Sequence, residues 1–151
     1  MQKLHFSTHI NAPVEKVWNT MLDEDSYREW TKPFQEGSYF KGDWSEGSKM
    51  LFLGPSPVEG QGEGGMVSKI KENRLHEFIS IEHQGIIVNG VEDTESEEAR
   101  KWTPAYENYT FLEKDSGTEL LIEMDVDEKL KDDFETMWPK ALEKLKELAE
   151  K

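Results

Sequence analysis

The chain contains no cysteine, which removes disulfides, thiolate nucleophiles, zinc knuckles and iron–sulfur ligation together. Basic residues are scarce beside acidic ones: 18 Lys and Arg stand against 32 Asp and Glu, a formal net charge of −14. Such a field repels phosphate backbones and anionic head groups, so nucleic acid is excluded as a partner and neutral or cationic ligands are favoured over anionic ones. Long apolar runs are missing too. The longest is Met50-Leu51-Phe52-Leu53, so neither a signal peptide nor membrane insertion is expected, and a cytoplasmic location follows as an expectation. Hydrophobic residues make up only 35%, a share that would suit a disordered chain, but 7 Phe, 5 Trp and 4 Tyr argue for a packed core. With 151 residues, no repeat and no linker-like stretch, a single domain spanning 1–151 is expected.

Leu4, Phe6, Thr8 and Ile10 alternate with polar residues, the period of a strand with one buried face. Pro13 suits a first helical turn, and Val14, Val17, Trp18, Met21 and Leu22 then make one apolar stripe. A second short helix is expected over Tyr27 to Trp30, before Pro33. Short apolar or alternating runs follow at Met50–Leu53, Met66–Lys71, His76–His83, Tyr106–Leu112 and Thr118–Val126, with hairpin turns expected at Glu72-Asn73 and Asp115-Ser116-Gly117. After Asp127, a candidate N-cap, the period changes to 3.6, with Leu130, Phe134, Met137, Trp138, Ala141, Leu142, Leu145, Leu148 and Ala149 on one face. Pro139 inside this helix predicts a kink or break near Met137–Trp138. The sum is an α+β domain whose curved antiparallel sheet wraps a long C-terminal helix.

Ile10-Asn11-Ala12-Pro13-Val14-Glu15-Lys16-Val17-Trp18 resembles the opening of the SRPBCC, or START-like, helix-grip proteins. Tyr27-Arg28-Glu29-Trp30-Thr31 and Gly42-Asp43-Trp44-Ser45-Glu46-Gly47-Ser48 are similar to the next landmarks of one branch, proteins related to the activator of the ninety-kilodalton heat-shock-protein ATPase. Gly64-Gly65-Met66-Val67, Glu107-Asn108-Tyr109-Thr110-Phe111, Gly117-Thr118-Glu119-Leu120 and Trp138-Pro139-Lys140-Ala141-Leu142 continue the resemblance along the chain. It implies a helix-grip (START-like) fold with an apolar cavity between sheet and helix, holding lipids, sterols, polyketides or similar small molecules. A cochaperone-like module with a chaperone partner is the second implied reading, and a cyclase- or hydrolase-type enzyme the third. No cofactor is implied.

Alternation places Ile79, Ile81 and His83 on one strand face, Glu107, Tyr109 and Phe111 on another, and Leu120, Ile122 and Met124 on a third. If these faces are concave, Phe134 and Trp138 oppose them from the helix, and Trp30, Met66 and Trp102 complete the expected lining. The alternative is a packed core without usable space, since aromatic stripes commonly fill volume. His83 and Glu107 could act as acid and base on a bound ketone or ester, with Tyr109 donating a hydrogen bond. A satisfied buried polar pair is the plainer expectation.

Gly60-Gln61-Gly62-Glu63-Gly64-Gly65 lacks the Lys-Ser/Thr of a P-loop and resembles the glycine-rich loop at the pocket mouth of helix-grip proteins. Five carboxylates between Glu92 and Glu98 lack the spacing of a calcium loop, while Thr94-x-x-Glu97 suggests a capping box for a short helix toward Trp102. His5 and His9 lie about 13 Å apart by strand rise, too far to share a metal unaided. No motif for a metal, a hydrolase triad or a dinucleotide is present.

Overall fold

The computed structural model describes residues 2–55, 60 and 62–151. Strand β1 (Gln2–Ile10) leads through Pro13 into helices α1 (Val14–Leu22) and α2 (Glu24–Trp30). Strands β2 (Tyr39–Gly42), β3 (Lys49–Gly54), β4 (Gly64–Arg74), β5 (Phe78–Val88) and β6 (Val91–Asp93) follow, then the short helix α3 (Glu97–Trp102). Strands β7 (Ala105–Lys114) and β8 (Gly117–Val126) precede a 3₁₀ turn at Glu128–Leu130 and the long helix α4 (Lys131–Ala149). All strands join one antiparallel sheet in the order β1-β8-β7-β5-β4-β3-β2, with β6 paired to β5. This is the α+β helix-grip architecture, in which the concave face of the sheet holds α4.

Packing on that face explains the element choices. Val17, Trp18, Met21 and Leu22 bury the stripe of α1, and Trp138, Ala141, Leu142, Leu145 and Ala149 bury that of α4. They meet Ile79, Ile81, Phe111, Leu120 and Ile122 from the sheet. On the other face a smaller cluster joins Leu53, Val67 and Ile87. The chain stays helical through Pro139, so the expected break does not occur. Pro139 is exposed, and the apolar anchors on both sides of it hold the helix against the sheet, where tertiary packing outweighs the lost backbone bond. Leu130 belongs to the preceding 3₁₀ turn, whose cap is Asp127: its Oδ1 accepts from the Lys129 amide at 2.9 Å.

Two local expectations are corrected. Glu72-Asn73 is not the turn between β4 and β5. A register shift between Ile70 and Glu72 lets β4 run on to Arg74, and the Asn73 side chain is bonded instead to the Trp44 carbonyl at 2.8 Å. The turn falls at Leu75-His76-Glu77, with His76 at φ 63°, so β5 begins at Phe78 rather than His76. Likewise Ser96, not Thr94, caps α3. Its Oγ accepts from the Ala99 amide at 3.1 Å while Asp93 receives the Ser96 amide at 3.0 Å, which moves the helix start two residues on. The turn Asp115-Ser116 has both residues at positive φ, as a tight hairpin requires, and Gly117 already starts β8. Of the glycine-rich segment, Gln61 lies outside the described residues, while Gly64 and Gly65 open β4.

Gly65 is a place where only glycine fits. Its φ is +154°, and a Cβ there would come within 1.8 Å of the Phe52 carbonyl oxygen. Strands β3 and β4 therefore approach closely at the point where Phe52 and Met66 turn toward α4.

Candidate functional site

A cavity of about 310 Å³ lies between the concave sheet and the helices. Phe52, Met66, His83, Glu107, Tyr109 and Met124 reach it from β3, β4, β5, β7 and β8. Tyr27 and Trp30 close it from α2, Phe134 and Trp138 from α4, and Phe34 and Leu130 from the connecting segments. Trp102 approaches from α3, a wall separate from the sheet. Trp138 organises this wall. Its ring lies 4.9 Å from Phe34, 5.9 Å from Phe6, 6.0 Å from Trp30 and 6.2 Å from Tyr109, and its Nε1 donates to Met124 Sδ at 2.8 Å.

One polar chain enters this apolar space. Ser68 Oγ lies 2.7 Å from His83 Nδ1, His83 Nε2 lies 3.2 Å from Glu107 Oε1, and the Tyr109 hydroxyl donates to Glu107 Oε2. Sheet register assembles it: Ser68 pairs across from His83 on β4 and β5, and Ile81 pairs with Glu107 on β5 and β7. His83 and Glu107 thus face the same side of the sheet. Their side chains are 13% and 18% exposed, so the carboxylate is largely withdrawn from water. His83 thus stands between Ser68 and Glu107, with one ring nitrogen directed at each. Ser68 is fully buried behind His83 and does not reach the cavity, so it orients the imidazole and has no path to attack a ligand.

Burial, and then the charge of Glu107, pushes the Tyr109 phenol well above its ordinary range, and the same two causes raise Tyr27. Both hydroxyls keep their protons. Two further carboxylates, Asp125 and Asp127, stand at the cavity's edge. Asp125 is engaged by Lys3 at 3.3 Å and by the Tyr106 amide at 3.0 Å. Among the described residues, no Lys or Arg lines the cavity. The arrangement offers an aromatic box with an acidic end.

Of the residues singled out from the sequence, Trp30, Met66, His83, Trp102, Glu107, Tyr109, Met124, Phe134 and Trp138 line this space. Ile79, Ile81, Phe111 and Ile122 do not. They are core residues farther along the same faces, and Phe111 is covered by Trp18 at 5.0 Å. Alternation identifies a strand face but not how far along it the helix stands clear. Tyr27, Phe34 and Phe52 were not anticipated. Tyr27 carries a usable signal, three residues before Trp30 on one face of α2, and Phe52 alternates with Leu51 and Leu53 on β3.

The sequence profile described as Activator of Hsp90 ATPase homolog 1-like protein matches residues 11–150. No curated protein matches the chain. Among solved structures, a protein from Chromobacterium violaceum aligns over 99% of this chain and 97% of its own, at 20% identity and a TM-score of 0.71. A protein of Cytophaga hutchinsonii covers 97% of this chain and 92% of its own at 21% identity and TM-score 0.68. A third neighbour, titled an AHSA1-like protein, is from Aeromonas hydrophila, with 14% identity, 99% and 92% coverage and TM-score 0.70. At these identities the likeness is one of fold.

Proposed function

Given that the chain belongs to the Activator of Hsp90 ATPase homolog 1-like family, we propose that it binds a small apolar or amphipathic molecule between its sheet and α4. The observation that carries this reading is the aromatic cavity of about 310 Å³, at the low end of the size of small-molecule sites, with convergent polar groups at one end. A lipid, sterol or polyketide-like compound places its body against Trp30, Phe52, Phe134 and Trp138, and its polar end meets Glu107 and His83. The pair holds the ligand; acid–base chemistry on it is a lesser reading, because His83 and Glu107 already satisfy one another.

Family membership is equally compatible with a cochaperone-like role, which calls for a sizeable exposed apolar patch. Among the described residues, the large exposed apolar side chains form no single patch of that kind. Val88 and Val91 pair at one end of β5, while Leu75 sits in the turn beyond its other end, about 33 Å away by strand rise, and Leu112 is on β7. The cavity is therefore preferred.

The test is a thermal-shift and native mass-spectrometry screen of lipids, sterols and aromatic polyketides against the protein and against Met66→Trp, which adds bulk to the lining without replacing a residue of the polar chain. A compound that raises the melting temperature of the parent and loses its effect in the folded variant supports the reading. A screen with no shift and no adduct ends it.

A further inference from the structure

Resting on that reading, we infer that the ligand carries a protonated amine on its apolar body. The inference comes from counting which hydrogen-bonding capacity the cavity has left to offer. Its donors are already engaged. Trp30 Nε1 donates to the Met21 carbonyl at 3.0 Å, Trp138 Nε1 to Met124 Sδ, Trp102 Nε1 to Glu98 Oε1 at 3.4 Å, Thr31 Oγ1 to the Tyr27 carbonyl at 2.6 Å and Ser38 Oγ to the Gln35 carbonyl at 2.8 Å. His83 Nε2 and the Tyr109 hydroxyl are both directed at Glu107. Tyr27 alone has a lining hydroxyl without a hydrogen-bond partner among the described residues, and it serves as acceptor as readily as donor.

Acceptors, by contrast, remain open. An ionised carboxylate offers about four lone-pair sites, and Glu107 uses one on each oxygen, for His83 and for Tyr109. Asp127 commits Oδ1 to the Lys129 amide. Its other oxygen has no hydrogen-bond partner among the described residues, and the residue lines the cavity. A ligand head rich in N–H donors matches this surplus, whereas an anionic head meets carboxylates and finds no Lys or Arg among the described lining residues.

The same head suits the box around it. A cation is attracted to the faces of Trp, Tyr and Phe, more strongly where water is excluded, and Tyr27, Trp30, Tyr109 and Trp138 line the same cavity as Glu107. Glu107 is largely withdrawn from water and keeps acceptor capacity beyond the contacts made by His83 and Tyr109, which an ammonium group fills. The overall charge of −14 draws such a ligand toward the protein before it binds.

Isothermal titration calorimetry of the full chain at pH 7 decides the matter with three probes sharing one ring system: 1-naphthylmethylamine, 1-naphthylmethanol and 1-naphthylacetate. The amine is expected to bind at least tenfold tighter than the alcohol, with the acetate weakest. Glu107→Gln is expected to bring the amine within about threefold of the alcohol when both are measured on that variant; should it not fold, the ranking in the parent protein decides alone. An alcohol as tight as the amine, or an acetate tighter than either, overturns the inference and leaves the cavity as a ligand site. Silence with all three probes also overturns it, and the broader screen then shows separately whether the cavity binds anything.

Discussion

Replacing Trp138 by alanine measures whether the space beside it is empty. A buried tryptophan cut to alanine costs about 3–5 kcal/mol, the spread reflecting how completely the ring is enclosed. Trp138 is 2% exposed and has four aromatic neighbours within 6.2 Å, an environment that by itself points to the upper end. Each aromatic pair is worth about 0.5–1.5 kcal/mol beyond area, but the four share one ring and do not add. One edge of the indole faces the cavity of about 310 Å³, where there are no protein atoms to lose. The expected cost is therefore about 3–4 kcal/mol, a drop of roughly 6–16 °C in melting temperature for a chain of this length. Trp138→Phe keeps most ring contacts and loses the N–H···S bond, for about 1–2 kcal/mol. Urea unfolding followed by far-ultraviolet circular dichroism is the assay, since it does not depend on the deleted fluorophore. A loss below 1 kcal/mol for the alanine variant would show that the four rings do not enclose Trp138. A loss above 5 kcal/mol would show that its free edge is packed, and the cavity would go with it.

Two further outcomes follow from the geometry. Gly65→Ala places a methyl group against the Phe52 carbonyl and is expected to cost about 2–3 kcal/mol in the same assay, with Phe52 and Met66 displaced; an unchanged urea midpoint would contradict the close approach of β3 and β4. Hydrogen bonds from Gln84, Tyr106 and Lys71 hold the Glu82 carboxyl down to about 2, below its unfolded value of about 4.3, so its contribution is present above that value and is lost as pH falls toward 2. Glu82→Gln is accordingly expected to cost about 1–2 kcal/mol at pH 7 and progressively less between pH 4.5 and 2; a difference that stays constant over that range would refute the assignment.

What could be read from the sequence was what is settled locally. The alternation from Leu4 to Ile10 marked β1, the stripe through Leu145 marked α4, with Asp127 capping the 3₁₀ turn before it rather than the helix, and Asp115-Ser116 marked its turn without help from the rest of the chain. Glu72-Asn73 misled because the irregularity after Ile70 is a property of the paired strand, and because Trp44, distant in sequence, claims the Asn73 side chain. The cavity was harder for a related reason. His83 shares a face with Ile79 and Ile81, but only the His83 end of β5 lies where α4 and α2 stand away from the sheet. That boundary depends on how Phe34, Trp30 and Trp138 wedge against one another, a three-body arrangement no single periodicity encodes.

The pairing of β5 directly with β7, from His83 with Ala105 to Phe78 with Thr110, makes the chain between Asn89 and Pro104 a detour. It adds β6 to the end of β5, leaves the sheet as α3, delivers Trp102 to the cavity wall, and returns to a ladder that its own length does not set. The β5–β7 ladder and this part of the cavity wall are thus carried by separate stretches of polypeptide. A sixteen-residue graft from a relative, spanning the detour alone, would exchange Trp102 and its surroundings while the ladder kept its rungs, so one wall of the cavity can diverge without any renegotiation of the fold.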